Sequence, residues 1–184
     1  MAFERVDDRG GGGRILATTR AARVEDAETI ARIFNDGIEE RVATFETRPR
    51  SAHEIAELIE AGALVLVGEG DGEVLGFAKV GPYDDPSHYY SGVGEATLYV
   101  DRRARRTGVG AELLNALADE AERRGYWKLV GKIFASNQPS IALVGACGWR
   151  EVGVHLRHSR LDGEWKDVLV VERLLGEAAS PSSP

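Results

Sequence analysis

The chain has one cysteine, one methionine and no long apolar run, so it is poor in residues that staple, anchor or span. A lone Cys147 cannot form an intrachain disulfide, which predicts a reducing, cytoplasmic setting. No stretch approaches the ~20 apolar residues that a membrane helix needs, so no membrane partner is expected. Residues 1–14 are charged and Gly-rich rather than signal-like. Positive charge is also short: 23 Lys and Arg against 30 Asp and Glu leave a net charge of −7. That balance excludes the broad basic face of a general nucleic-acid binder. Histidines number only four, and His155 and His158 sit three apart on an expected strand. Strand alternation would point them to opposite faces, so no metal is expected.

What is present is the make-up of an ordinary globular domain: 184 residues, 43% hydrophobic and 29% charged. A chain of this size buries roughly 70% of its unfolded surface, enough for one core without staples. Residues 1–13, ending in four glycines, and 176–184, rich in Ala, Ser and Pro, read as disordered tails around a domain spanning 14–175.

Within that domain the pattern predicts a strand near 15–20 and a helix from Asp26 to about Gly37. A second helix follows Ser51, whose spacing from Glu54 makes a capping box. Residues 63–68 and 73–80 read as a hairpin around Asp71-Gly72, and 95–100 as a further strand. The clearest helix covers 110–124, with Leu113, Leu114, Leu117 and Ala121 at helical spacing and Gly125 as its stop. A strand at 127–134, a short helix ending at Cys147, and strands at 149–156 and 166–174 complete the order βααβββαβαββ. This is an α+β fold, a mixed sheet with helices on both faces.

Residues 105–110, Arg-Arg-Thr-Gly-Val-Gly, lie between a strand and the clearest helix. At such a junction the first helical amides lack partners and carry partial positive charge, a ready anion site. Gly108 and Gly110 lack the Cβ atoms that would hold a diphosphate away, and Arg102, Arg103, Arg105 and Arg106 add full charges. The loop is not a dinucleotide G-x-G-x-x-G, because Leu113 takes the third glycine's place. Nor is it a P-loop, since no Gly-Lys-Ser/Thr follows. The bland alternative is a loop that merely turns the chain.

The run Leu98-Tyr99-Val100 followed by Arg105 to Gly110 resembles the acetyl-CoA signature of the GCN5-related N-acetyltransferases. Asn137, Pro139-Ser140, Leu143 and Gly148-Trp149 are similar to that superfamily's second CoA-side motif. More narrowly, Ile33-Phe34-Asn35, Ile38-Glu39, Phe45, Pro49, Gly81-Pro82-Tyr83, Glu95 to Val100 and Gly163 to Val168 resemble the phosphinothricin and arsinothricin N-acetyltransferase branch. The resemblance implies a central sheet of about seven strands, acetyl-CoA as co-substrate and a homodimer. It places Leu98, Tyr99, Val100, Arg105, Arg106, Thr107, Gly108, Val109, Gly110, Ala111, Asn137 and Ser140 on the cofactor. Asparagine before a helix is also a common N-cap, which is the plainer role for Asn137.

Acetyl transfer needs a neutral amine, and Glu95 is the expected base, its alternation partners being Thr97 and Tyr99. A solvated strand-end carboxylate is the plainer reading. The resemblance implies that a backbone N–H of Leu98 or a neighbour meets the developing oxyanion. Where that branch often carries a histidine and many superfamily members a tyrosine, this chain has Val144, which cannot donate a proton. Ser140 and Tyr99 are weak substitutes, and Cys147 reads as core rather than nucleophile.

A phosphinothricin-like substrate carries two anions and needs cations. Arg41 and Arg48 beside Phe45, Lys79, and Arg157 or Arg160 are candidates, with Tyr83 and His88 in the loop where the branch usually has an arginine. Two rivals stay open. One is acetylation of a different amine, such as methionine sulfoximine, a peptide N-terminus, a polyamine or an aminoglycoside. The other is a non-catalytic acyl-CoA sensor.

Overall fold

The computed structural model describes residues 17–83 and 89–180. The expected N-terminal tail and His88 lie outside the described residues. The elements are β1 (Thr18–Ala21), α1 (Ala27–Glu39), α2 (Ala52–Glu60), β2 (Leu64–Gly70), β3 (Glu73–Pro82), β4 (Val93–Val100), α3 (Val109–Arg123), β5 (Lys128–Phe134), α4 (Gln138–Ala146), β6 (Arg150–Leu161) and β7 (Glu164–Leu174). The seven strands form one mixed sheet in the order β1-β2-β3-β4-β5-β7-β6, as the α+β reading expected. Residues 176–179, expected within a tail, form an exposed 3-10 turn.

Local chemistry accounts for the boundaries. Ser51 Oγ accepts from the Glu54 N–H at 3.2 Å while Glu54 Oε2 accepts from the Ser51 N–H at 2.8 Å, closing the capping box that starts α2. Both hairpin turns, Asp71-Gly72 and Asp162-Gly163, have positive φ at each residue (53° and 79°; 51° and 86°), the conformation that suits strand twist.

The sheet separates two apolar layers. On one face Ile30 and Ile33 of α1 pack on Val65, Val67 and Phe77, with α2 adding Ile55, Leu58 and Ile59. On the other, Leu113, Leu117 and Ala121 of α3 are wholly buried against Leu66, Ala78 and Leu129. Each such leucine contributes roughly 1.5–3 kcal/mol by leaving water.

Two irregularities matter for function. Strands β4 and β5 run parallel but pair only over Val93↔Lys128, Gly94↔Leu129 and Glu95↔Val130. Beyond Glu95, β4 stays on β3 as far as Gly76↔Val100, and β5 stays on β7 as far as Phe134↔Val168. The sheet therefore splits along its middle. The second irregularity is a bulge in β6, where His155↔Val168 and Ser159↔Lys166 set four residues of β6 against two of β7. Arg157 adopts φ 50° there, and its N–H donates to Asp167 Oδ1 at 2.6 Å. The bulge corrects the strict alternation expected of His155 and His158, whose ring centroids lie 4.8 Å apart.

Candidate functional site

The split exposes main-chain polar groups. Asp101 N–H donates to the Leu75 carbonyl of β3, so by alternation Tyr99 and Thr97 also face β3. Ala96, Leu98 and Val100 then turn their N–H and C=O groups toward the gap. Val100 O accepts from Arg105 Nε at 3.3 Å, as that orientation requires.

The gap ends at the start of α3. Gly108 is the N-cap with φ 102°, and no side chain caps it. Its carbonyl accepts from Ala111 and Glu112, which leaves the amides of Val109 and Gly110 without an acceptor among the described residues. A Cβ on Gly110 would stand 3.0 Å from Leu143, 3.5 Å from Val100 and 3.6 Å from Leu98, so the missing side chain makes room for apolar packing between α3, α4 and β4, which corrects the expectation that it clears space for a diphosphate. Thr107 Oγ1 donates to the Ala104 carbonyl at 2.6 Å and so braces the loop from within.

The loop's charge is largely paired. Glu40 accepts from Arg105 Nη2 at 2.8 and 2.9 Å and also from Arg102 Nε, tying the loop to the end of α1. Burial pushes the Glu40 carboxyl up, but the two guanidinium groups outweigh it and hold the carboxyl below its usual range. Arg103 pairs with Asp101 and Glu73. Arg106, exposed at φ 63°, has no ion pair among the described residues.

Beside the gap lies a cavity of about 840 Å³ that Glu95, Leu98, Tyr99, Asn137, Ser140, Phe45 and Lys79 all line. Glu95 accepts from Lys132 Nζ at 2.7 Å, an ion pair that bridges the split from β4 to β5. The Tyr99 ring packs 5.0 Å from Phe34 and 5.6 Å from Phe77. Burial pushes its hydroxyl up to about 12, so it is a weak acid. Asn137 caps α4 through Ser140 N–H at 3.2 Å and donates to the Val42 carbonyl at 3.1 Å. Its plain N-cap role is thus present. Val144 lines the cavity as a buried apolar residue. Cys147 is buried, and that burial pushes its thiol up, as a core cysteine requires.

Other expected substrate residues stand elsewhere because each has its own partner. Arg41 pairs with Asp162 at 3.1 Å, Arg160 stacks 4.3 Å over Trp165, and the Tyr83 ring meets Tyr90 at 6.1 Å. None of the three lines the cavity.

Sequence analysis gave no site role to Arg50 or Lys132, weighed His158 only as a metal ligand, and quoted Asn35 only within the family resemblance. Asn35 brackets the Arg50 backbone, donating to its carbonyl at 2.9 Å and accepting from its N–H at 2.8 Å. This fixes the 44–50 wall against α1. No local signal marks such a long-range bracket. Lys132 was findable, being the charged residue that interrupts the apolar run 129–134 of β5.

The arrangement fits a nucleotide thioester. Unpartnered amides at a helix start suit a diphosphate. The opened edge of β4 suits an amide-containing arm, and the buried Trp149 Nε1, which lines the cavity, has no acceptor among the described residues. Among the same residues no group of three or more His, Cys, Asp and Glu side chains is placed to hold a metal, and no helix is long and apolar enough to cross a membrane.

Comparison with known proteins agrees with that chemistry. A family profile described as "Acetyltransferase (GNAT) family" matches residues 28–149. The chain is 30% identical over 167 residues to a phosphinothricin N-acetyltransferase of Alcaligenes faecalis, covering 88% of this chain and 84% of that one. It is 31% identical over 178 residues to an L-methionine sulfoximine/L-methionine sulfone acetyltransferase of Salmonella typhimurium, covering 90% and 99%. Among solved structures, a phosphinothricin acetyltransferase from Sinorhizobium meliloti in complex with acetyl-CoA superposes with a TM-score of 0.81 at 27% identity, covering 91% and 93%.

Proposed function

The chain belongs to the acetyltransferase (GNAT) family and is an acetyl-CoA-dependent amino-acid N-acetyltransferase; on that premise we propose that it acetylates the α-amino group of a toxic amino acid of the phosphinothricin, arsinothricin or methionine sulfoximine kind. The observation that carries this reading is the split between β4 and β5. It leads from the uncapped amides of α3 into a cavity holding a carboxylate.

Acetyl-CoA, when bound, supplies an activated acetyl group as a thioester. The amides of Val109 and Gly110 hold its diphosphate, with Arg106, which has no ion pair among the described residues, in the approach. The gap-facing edge of β4 aligns the arm, and the Leu98 N–H stabilises charge on the acetyl oxygen. Glu95 removes the proton from the incoming ammonium. To do so it exchanges its contact with Lys132 for one with the substrate amine, directly or through one water. The thiolate leaves without a side-chain acid at Val144, which its modest basicity permits. Holding the amine and the thioester carbonyl in proximity and orientation then contributes to the rate.

We place the protein in the cytoplasm as a homodimer. The single free, buried Cys147 supports the first. The second is supported by the edge strand β6, whose Val152, Val154 and Leu156 are exposed.

The test is release of free thiol from acetyl-CoA across a panel of amines. Turnover with phosphinothricin or methionine sulfone and none with polyamines or peptide N-termini is expected. The reverse pattern would replace this substrate class with the rival one.

A further inference from the structure

Five groups of potential positive charge line the cavity: Arg48, Arg50, Lys79, Lys132 and His158. Three of them are occupied. Arg48 Nη2 lies 2.6 Å from Glu54, Arg50 Nη2 lies 2.8 Å from Glu46, and Lys132 Nζ lies 2.7 Å from Glu95. His158 stands at the exposed bulge against His155. Lys79 is different. It has neither a hydrogen bond nor an ion pair among the described residues, although it is not an exposed side chain.

Its position follows from register. On β3, Lys79 lies opposite Val65 of β2 and Thr97 of β4, while Gly81, two residues on, lies opposite Glu95. Alternation therefore puts Lys79 on the face of Phe77, Tyr99 and Glu95, within the cavity wall and one pleat repeat from the base. Gly81 offers no side chain between them. Burial pushes the Lys79 ammonium down, and nearby Arg50 adds to that, with Glu95 and Glu46 opposing. An ammonium with no ion-pair contact among the described residues, held in a half-desolvated cavity near a base, lacks the close partner that burial demands.

Resting on the acetyltransferase reading above, we infer that Lys79 binds an oxyanion of the substrate, and so selects free amino acids over amines that carry no acid group. The shared chemistry is a carboxylate or phosphinate oxygen accepting from the lysine Nζ while the amine of the same molecule reaches Glu95. Two sources are possible within one substrate, the α-carboxylate and a side-chain acid. An amine lacking both leaves the ammonium unpartnered, which is a strong basis for rejection.

The experiment compares wild type, K79M and K79Q with three acceptors: methionine sulfone, its α-carboxamide, and phosphinothricin. Loss of a charge-assisted bond should cost roughly tenfold or more in kcat/KM, expressed in KM of the acceptor, with KM for acetyl-CoA unchanged. If the α-carboxylate is held, wild type should prefer methionine sulfone over its carboxamide, and both variants should lose that preference. If the side-chain acid is held, the variants should lose activity on phosphinothricin while methionine sulfone is spared. Either pattern supports Lys79 as the oxyanion site. An active wild type whose acceptor preferences both variants retain would overturn the inference alone. A wild type that acetylates none of the three would overturn the functional reading and the inference with it. K79Q, polar and of similar length, separates loss of charge from loss of packing.

Discussion

Replacing Gly108 by valine isolates the contribution of the α3 amides. The residue sits at φ 102° and ψ −19°, a region costly for any residue with a Cβ. Apart from its chain neighbours, no atom of the described residues lies within 4 Å of where that Cβ would stand, so none of them collides with it. The cost is therefore conformational, about 1–2 kcal/mol on the scale of a left-handed residue, and valine's stiff χ1 places it at the upper end. For a chain of this size that lowers Tm by about 2–8 °C and leaves a folded protein to assay. If the strain is relieved by rotating the loop, the amides of Val109 and Gly110 lose their alignment, and acetyl-CoA affinity falls by about 5–30-fold. Isothermal titration with acetyl-CoA, repeated with acetyl-pantetheine, separates diphosphate from arm. Only the first should weaken. Equal weakening of both, or an unchanged Kd for acetyl-CoA with the expected fall in Tm, would refute the assignment of the diphosphate to these amides.

Further outcomes follow from the same geometry. Glu95→Gln should lower kcat by about 100-fold or more while acetyl-CoA affinity by titration stays unchanged, on the usual scale for a general base; wild-type turnover would remove Glu95 as base. Leu113→Ala, at a wholly buried position on α3, should cost about 2–5 kcal/mol in urea unfolding. Asp101, almost fully buried, is pushed up by burial, but hydrogen bonds from Arg103 and Arg32 outweigh that and hold its carboxyl well below the usual range. A depressed folded pKa contributes stability above the unfolded value of about 3.9, and the contribution is lost as pH falls below it. Asp101→Asn should therefore lower Tm at pH 7 and flatten its decline below about pH 4; parallel wild-type and variant curves would contradict this.

Much of this was legible in the sequence because it is local. The capping box at Ser51, the Asp-Gly turns and the leucine spacing of α3 each act within a few residues, and each appears where the pattern put it. The place of Gly108 at the start of α3 was readable for the same reason, whereas the packing of Leu143 against Gly110 is a tertiary contact that the local pattern does not announce. The cations were not readable either, because pairing is decided by tertiary partners. Arg41 and Arg160 are near enough in sequence to Phe45 or the closing hairpin to suggest substrate roles, yet Asp162 and Trp165 claim them. Asn137 illustrates a residue with two plausible roles, of which the structure displays the cap. The His155–His158 pair was misread because a two-residue bulge defeats strand alternation, and nothing in the local sequence announces it.

The most direct measurement is a crystal structure of the protein grown with acetyl-CoA. Diphosphate oxygens should lie within hydrogen-bond distance of the Val109 and Gly110 amides, and the thioester in the opening between β4 and β5 just past Glu95. A diphosphate bound away from the start of α3, or a gap closed by pairing of β4 with β5, would contradict that placement.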